Sequence, residues 1–200
     1  MNKKKIRQRD HKVQILEAAE KTFAKKGFYV TTMEEIAHQA QLAKGTIYLY
    51  FESKENLFFW VIEKKLDILL DKIKEKLDEL NPPSQKIEEV ICVHLKFLEE
   101  NEDFFKITQN LSENLKKKME KKLKSKAIQK QSHYIEILGK LIQEAIIKGE
   151  IKPLNSRKLA VILMGIIHSL TLYWISKKEK GSLSKDESLA WKVFWEGVKK

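Results

Sequence analysis

Apolar residues recur at every third or fourth position along most of the chain, the period of helices packed on one side, and neither a strand pattern nor an internal repeat is evident. The first such stretch runs from Asp10 to about Lys26, with Val13, Ile15, Leu16, Ala19 and Phe23 on one face and Lys12, Glu17, Glu20 and Lys21 on the other. Gly27 suits a left-handed helix stop. Thr32-Met33-Glu34-Glu35 has the S/T-x-x-E form of a capping box, so a second helix should start at Met33 and end near Gln41. It shows Ile36, Ala37 and Ala40 on one face, and Leu42 turns inward at the corner that follows. A third helix is expected from Lys44 to Tyr50, burying Ile47 and Phe51 and leaving Lys44, Thr46, Tyr48, Leu49 and Tyr50 mostly outside.

Ser53 then caps a long helix that should reach about Leu80, where Asn81-Pro82-Pro83-Ser84 ends it. About 27 helical residues span about 40 Å, enough to leave a first bundle and join a second core. Further helices are expected at about 84–100, 102–115, 116–149, 155–177 and 184–199. The fold class is therefore all-α. A helix-turn-helix domain over residues 1–54, with a basic N-terminal arm, is followed by a connector helix and a larger helical domain over 55–200. Leu159 to Ile175 is apolar for 17 residues but contains His168, Ser169 and Thr171, and reads as a fully buried helix rather than a membrane span.

Composition agrees with long helices: seven glycines, three prolines and 34% charged residues in 200. A formal charge of +11 calls for a polyanionic partner, either nucleic acid or an anionic membrane surface. Residues 1–54 hold eleven Lys and Arg against six Asp and Glu, which favours a DNA-binding helix-turn-helix over a plain three-helix bundle. Lys3, Lys4, Lys5, Arg7 and Arg9 form a solvated tail or an arm along phosphates. The single cysteine, Cys92, leaves no internal disulfide and no cysteine-based metal site, as expected in a reducing cytoplasm, and no signal peptide follows Met1. HExxH, GxSxG, P-loop and GxGxxG strings are absent, so neither an enzyme nor a cofactor or metal is expected.

The segment VTTMEEIAHQAQLAKGTIYLYFESKENLF, preceded by ILEAAEKTFAKKGF, closely resembles the TetR family of bacterial transcriptional regulators over roughly residues 10–60. The resemblance implies a two-fold dimer with the helix from Lys44 in the major groove of each half of an inverted-repeat operator. Lys44, Gly45, Thr46 and Tyr48 are then the candidates for reading bases, with Leu49 exposed beside them. Thr32, Tyr50 and Lys54 would grip phosphates. Three positions depart from the family's pattern: Gln41 where glycine is common, at a cost of about 1 kcal/mol if left-handed, Ala43 where Ser or Thr would cap, and the apolar Leu49.

The second part is rich in large apolar groups. Dimerisation through the last two helices is expected, with Ile167, Leu170, Trp174, Trp191, Phe194 and Trp195 as candidate contacts. Polar groups among apolar walls suggest a pocket for a small hydrophobic or amphipathic effector: Cys92, His94, His133, Tyr134, His168 and Thr171, with Phe97, Phe105 and Met164. The run Lys116-Lys117-Lys118 with Lys121, Lys122, Lys124, Lys126 and Lys130 reads as a solvated face. The function that follows is a ligand-released repressor of transcription. The alternative is an architectural protein that binds nucleic acid by charge alone.

Overall fold

The computed structural model describes residues 3–77, 82–109, 126–177 and 181–200. The described residues form helices α1 (Lys3–Lys26), α2 (Met33–Gln39), α3 (Lys44–Tyr48), α4 (Lys54–Leu77), α5 (Pro83–Glu100), α6 (Glu102–Gln109), α7 (Lys126–Ile147), α8 (Ser156–Ser176) and α9 (Glu187–Val198), with a 3-10 turn at Leu183–Asp186. An isolated antiparallel bridge between Ile151 and Lys199 is the β-type pairing among them. The all-α architecture, an N-terminal helix-turn-helix followed by a helical second part, is as expected. By packing, the chain divides into Met1–Lys65 with Asp103–Ala127 and Leu66–Glu102 with Ile128–Lys200, so α4 is shared between the two units.

The first unit is assembled by local signals that agree with one another. In α1, Ile15, Leu16, Ala18, Ala19 and Phe23 lie on one face and are buried. Gly27, at φ 80°, ends the helix, its amide donating to the Phe23 carbonyl at 2.8 Å. Phe58 packs edge-on with Phe23, Phe28 and Phe59, and Phe23 lies tilted against Phe28, with centroids 5.1–5.9 Å apart, an arrangement contributing about 0.5–1.5 kcal/mol per pair beyond area burial. Lys65 of α4 reaches Glu20 of α1 at 2.9 Å, both side chains largely covered. One expectation needs correction: the backbone is helical from Lys3, not from Asp10, so the basic residues expected in an arm belong to the first two turns of α1. Lys, Arg and Gln are good helix formers, and their lack of apolar periodicity hides them from a pattern search.

In the second unit, α5 packs on α8, α9 and the 3-10 turn. Its N-terminus is capped from a distance, the Glu150 carboxylate accepting from the Ser84 amide at 3.0 Å. Asn155 caps α8, accepting from the Lys158 amide at 2.9 Å. Glu99 accepts from the Ser184 amide and the Ser182 hydroxyl at 2.8 and 3.0 Å, pinning the 3-10 turn to α5. Helix α8 is long and apolar enough to cross a membrane by length and composition alone. It is not the fully buried helix expected. Leu159, Ala160, Leu163, Ile167, Thr171 and Trp174 face the core, while Val161, Ile162, Leu172 and Tyr173 remain on the surface. The ends expected for the helices at Leu80, 115 and 116, and the lysine run apart from Lys126 and Lys130, lie outside the described residues. The Lys130 amine meets Asp67 of α4 at 2.6 Å.

Candidate nucleic-acid interface

Within the first unit, helix α3 follows α2 through a short turn of four residues, Ala40 to Ala43. The capping box forms as expected: the Thr32 hydroxyl accepts from the Glu35 amide at 3.2 Å, and the Glu35 carboxylate accepts from the Thr32 amide at 3.0 Å. At the other end of α2 the chain makes a Schellman turn. The Leu42 amide donates to the Ala37 carbonyl and the Gln41 amide to the His38 carbonyl, each at 3.0 Å. That turn puts Gln41 at φ 53°, the left-handed region that glycine would occupy without strain, at a cost of about 1 kcal/mol. The Gln14 side chain of α1 donates to the Ala40 carbonyl at 2.7 Å, fixing the corner to the first helix. Ala43 begins α3 with no side-chain cap.

The turn delivers a surface with little cover. Ile47 and Phe51 are fully buried and anchor α3, whereas Lys44, Gly45, Tyr48 and Leu49 are exposed, Leu49 by 83%. Thr46 and Tyr50 are half-buried, and the Tyr50 ring meets His11 edge-on at 6.4 Å. The helix ends at Tyr48, two residues short of the expected Tyr50. At Gly45 the φ angle is ordinary, and a Cβ there would meet nothing within 4 Å. Nothing inside the fold calls for glycine at that position.

Charge on this surface is organised by α2. The Lys44 ammonium bonds the Glu34 carboxylate, which holds Glu34 below the usual carboxylate range and raises Lys44 above the usual lysine value. Glu35, already in the cap, also takes Lys26 at 2.5 Å, and that bond is the larger cause of its lowered pKa. Lys54, expected on phosphate, donates to the Thr31 and Tyr29 carbonyls at 2.7 and 3.2 Å and lies 4.7 Å over the Phe28 ring. Its amine therefore braces the loop before α2. Ser53 caps α4, accepting from the Asn56 amide at 3.1 Å. Gln14, His11 and Glu34 went unnoticed in the sequence because their partners are 26, 39 and ten residues away and follow no helical period.

The effector candidates do not form one group. His94 of α5 and Tyr134 of α7 are buried together, the phenol oxygen 2.9 Å from His94 Nδ1. Burial pushes the His94 imidazole down to about 3 and the Tyr134 phenol upward, so both are neutral. Phe97 is buried on the same helix, and Cys92 is half-covered, its thiol pushed up to about 12 by burial and by Glu187. Thr171 is buried, but its hydroxyl is turned back to the Ile167 carbonyl at 2.8 Å. Met164 is half-buried, His133 and His168 are exposed, and Phe105 is buried in the first unit. Of the dimer candidates, Ile167, Trp174 and Phe194 lie in the protomer's own core, with the Trp174 indole donating to the Gly181 carbonyl at 2.6 Å. Leu170 is half-buried, and Trp191 and Trp195 stack at 4.8 Å, also half-covered.

A capped helix-turn-helix that presents a short, exposed and partly basic second helix, continued by a larger helical part, defines a helix-turn-helix transcriptional regulator. Residues 15–61 match the family described as bacterial regulatory proteins, tetR family, and residues 62–197 match the C-terminal region of YsiA-like proteins. The chain belongs to the TetR family of bacterial transcriptional regulators. It is 29% identical to the fatty acid metabolism regulator protein of Bacillus subtilis strain 168 over 172 residues, 86% of this chain and 87% of that protein. Among solved structures, the fatty acid degradation regulator FadR of Bacillus halodurans superposes with a TM-score of 0.84 at 25% identity, over 94% of this chain and 95% of that one. FadR of Bacillus subtilis, solved in complex with stearoyl-CoA, gives 0.81 at 26% identity, over 93% and 98%.

Proposed function

We propose that this regulator is a homodimeric repressor that reads an inverted-repeat operator with Lys44, Gly45, Thr46, Tyr48 and Leu49, and that an acyl-CoA releases it. The single observation that carries the reading is Gly45. Glycine in a helix costs about 1 kcal/mol against alanine, and here neither backbone angle nor a neighbouring atom requires it. Its open Cα, between the exposed Lys44 and Tyr48, leaves room for a body outside the fold to come close. A duplex groove is such a body. In this arrangement Lys44 offers donors to guanine O6 and N7, the Thr46 and Tyr48 hydroxyls meet base edges, and Leu49 meets a thymine methyl group. Thr32 and Tyr50 contact phosphates, and Lys54 contributes through the loop it braces as much as through its own charge.

The dimer is formed by the uncovered stripe of α8 and α9 rather than by the buried half of the expected set. Val161, Ile162, Leu172 and Tyr173 lie on the surface with Leu189 and Val193, and exposed Gly165 lets a second helix approach closely. Of the expected set, Leu170, Trp191 and Trp195 are half-covered. The effector class is suggested by the stearoyl-CoA bound to FadR of Bacillus subtilis and by the apolar character of the second part. Effector binding in the second part shifts α4, and with it the distance between two heads that must match half-sites about 34 Å, or a multiple, apart. The protein works in the cytoplasm and carries out no reaction.

The test is a set of binding measurements on a selected operator at fixed salt. Lys44→Ala and Tyr48→Phe should each relax preference at one or two base pairs, by about 1–3 kcal/mol, and stearoyl-CoA should lower operator occupancy. Equal weakening on every sequence would favour the architectural alternative. Occupancy that stearoyl-CoA leaves unchanged would remove the effector class.

A further inference from the structure

We propose that Glu34 is a positioning residue that sets how sharply the reading helix discriminates between sequences, acting through Lys44. The inference rests on the reading of α3 as a DNA-contacting surface. It starts from a charge the fold does not need. The N-terminal cap of α2 is supplied by Thr32 and Glu35, and its buried face by Met33, Ile36 and Ala37. Glu34 does neither, yet it is 58% exposed beside a surface meant for a polyanion, with its carboxylate bonded to Lys44.

An acidic group in the first turn of α2 does favour the helix dipole, but Glu35 already supplies one. The distinctive contact of Glu34 is across the turn, to the first residue of α3.

The chemistry of an ammonium group explains the consequence. Lys44 has three donors, and one of them is given to Glu34. A guanine edge can take another while the pair stays intact. Reaching a phosphate that lies away from α2, which every sequence offers, takes the amine out of range of Glu34, breaks the pair and leaves the carboxylate unpaired opposite the DNA backbone. Glu34 therefore penalises the generic contact and spares the specific one, which is how a repulsive element raises specificity. It also limits the wandering of a long side chain that would otherwise act as a point charge.

The experiment compares the full-length protein, Glu34→Gln, Lys44→Ala and the double variant on a selected operator duplex and a scrambled duplex, by fluorescence anisotropy across a salt series. Glu34→Gln should bind the scrambled duplex about three- to five-fold tighter, the scale of one exposed ion pair, and the operator less than two-fold tighter. Its log–log salt slope on the scrambled duplex should steepen by about one. In the Lys44→Ala background the same change should leave the operator-to-scrambled ratio where it was, since the effect passes through Lys44. A simple loss of like charge, or of a helix-dipole contact, would act in both backgrounds. The proposal is overturned if Glu34→Gln keeps the full ratio while the unaltered protein discriminates, or if the ratio falls equally without Lys44. An unaltered protein that shows no preference between the duplexes overturns the reading of α3 itself, and this inference with it.

Discussion

On the proposed reading, stability and function pull apart at Gly45. Its Cβ position is open and its backbone is helical, so Gly45→Ala should raise the unfolding midpoint slightly, by about 0.5–1 kcal/mol of helix preference. The same methyl group should lower operator affinity more than ten-fold, because it occupies the space the duplex needs. Chemical denaturation and anisotropy on one sample would check both, and unchanged operator affinity would show that nothing approaches that Cα. Thr32, Gly27 and Ser53 were legible in the sequence because each acts within four residues of itself. Gln41 was legible for a related reason: a turn that needs a left-handed residue is recognisable even when the residue is not glycine. The Glu34–Lys44 pair was not, since it depends on how the turn folds α3 back beside α2.

Among the elements, α5 and α7 are tied by a buried polar contact between His94 and Tyr134. The His94 imidazole, pushed down to about 3 by burial, is neutral in the folded chain, whereas an unfolded chain binds a proton there below about 6.5. The native state therefore holds fewer protons, and stability from this site is complete above about 6.5 and falls as the pH drops toward 3. The loss approaches 1.4 kcal/mol per pH unit for one proton. Urea midpoints at pH 7.5 and 5.5 should differ in this sense, and in His94→Asn the difference should shrink; an equal difference in both proteins would assign it to other groups. Periodicity located α5, α8 and α9 to within a few residues, since a core face leaves a regular mark. It could not say what covers the other face. An apolar stripe facing its own core and one facing another subunit have the same hydropathy, which is why α8 reads as buried all round and Ile167, Trp174 and Phe194 read as interface residues.

For the whole molecule, the break between units falls within α4, at Lys65 and Leu66, where no loop or change of composition marks it. Lys65 pairs with Glu20 of the first unit and Asp67 with Lys130 of the second, so two residues of one helix each answer to a different unit. The assembly should rest on the stripe of α8 and α9. Val161→Glu with Leu172→Glu, both on the surface and thus harmless to the protomer, should turn a dimer into a monomer at micromolar concentration by light scattering. A persistent dimer would move the interface elsewhere. Operator affinity should fall as dimerisation is lost, since one head alone covers only one half-site.

The most direct measurement is selection of binding sites from random duplexes by the unaltered protein at fixed salt. An enriched inverted repeat, with half-sites about one helical turn or a multiple apart, is the predicted result. Recovery of no repeat, with retention governed by salt alone, would contradict the account.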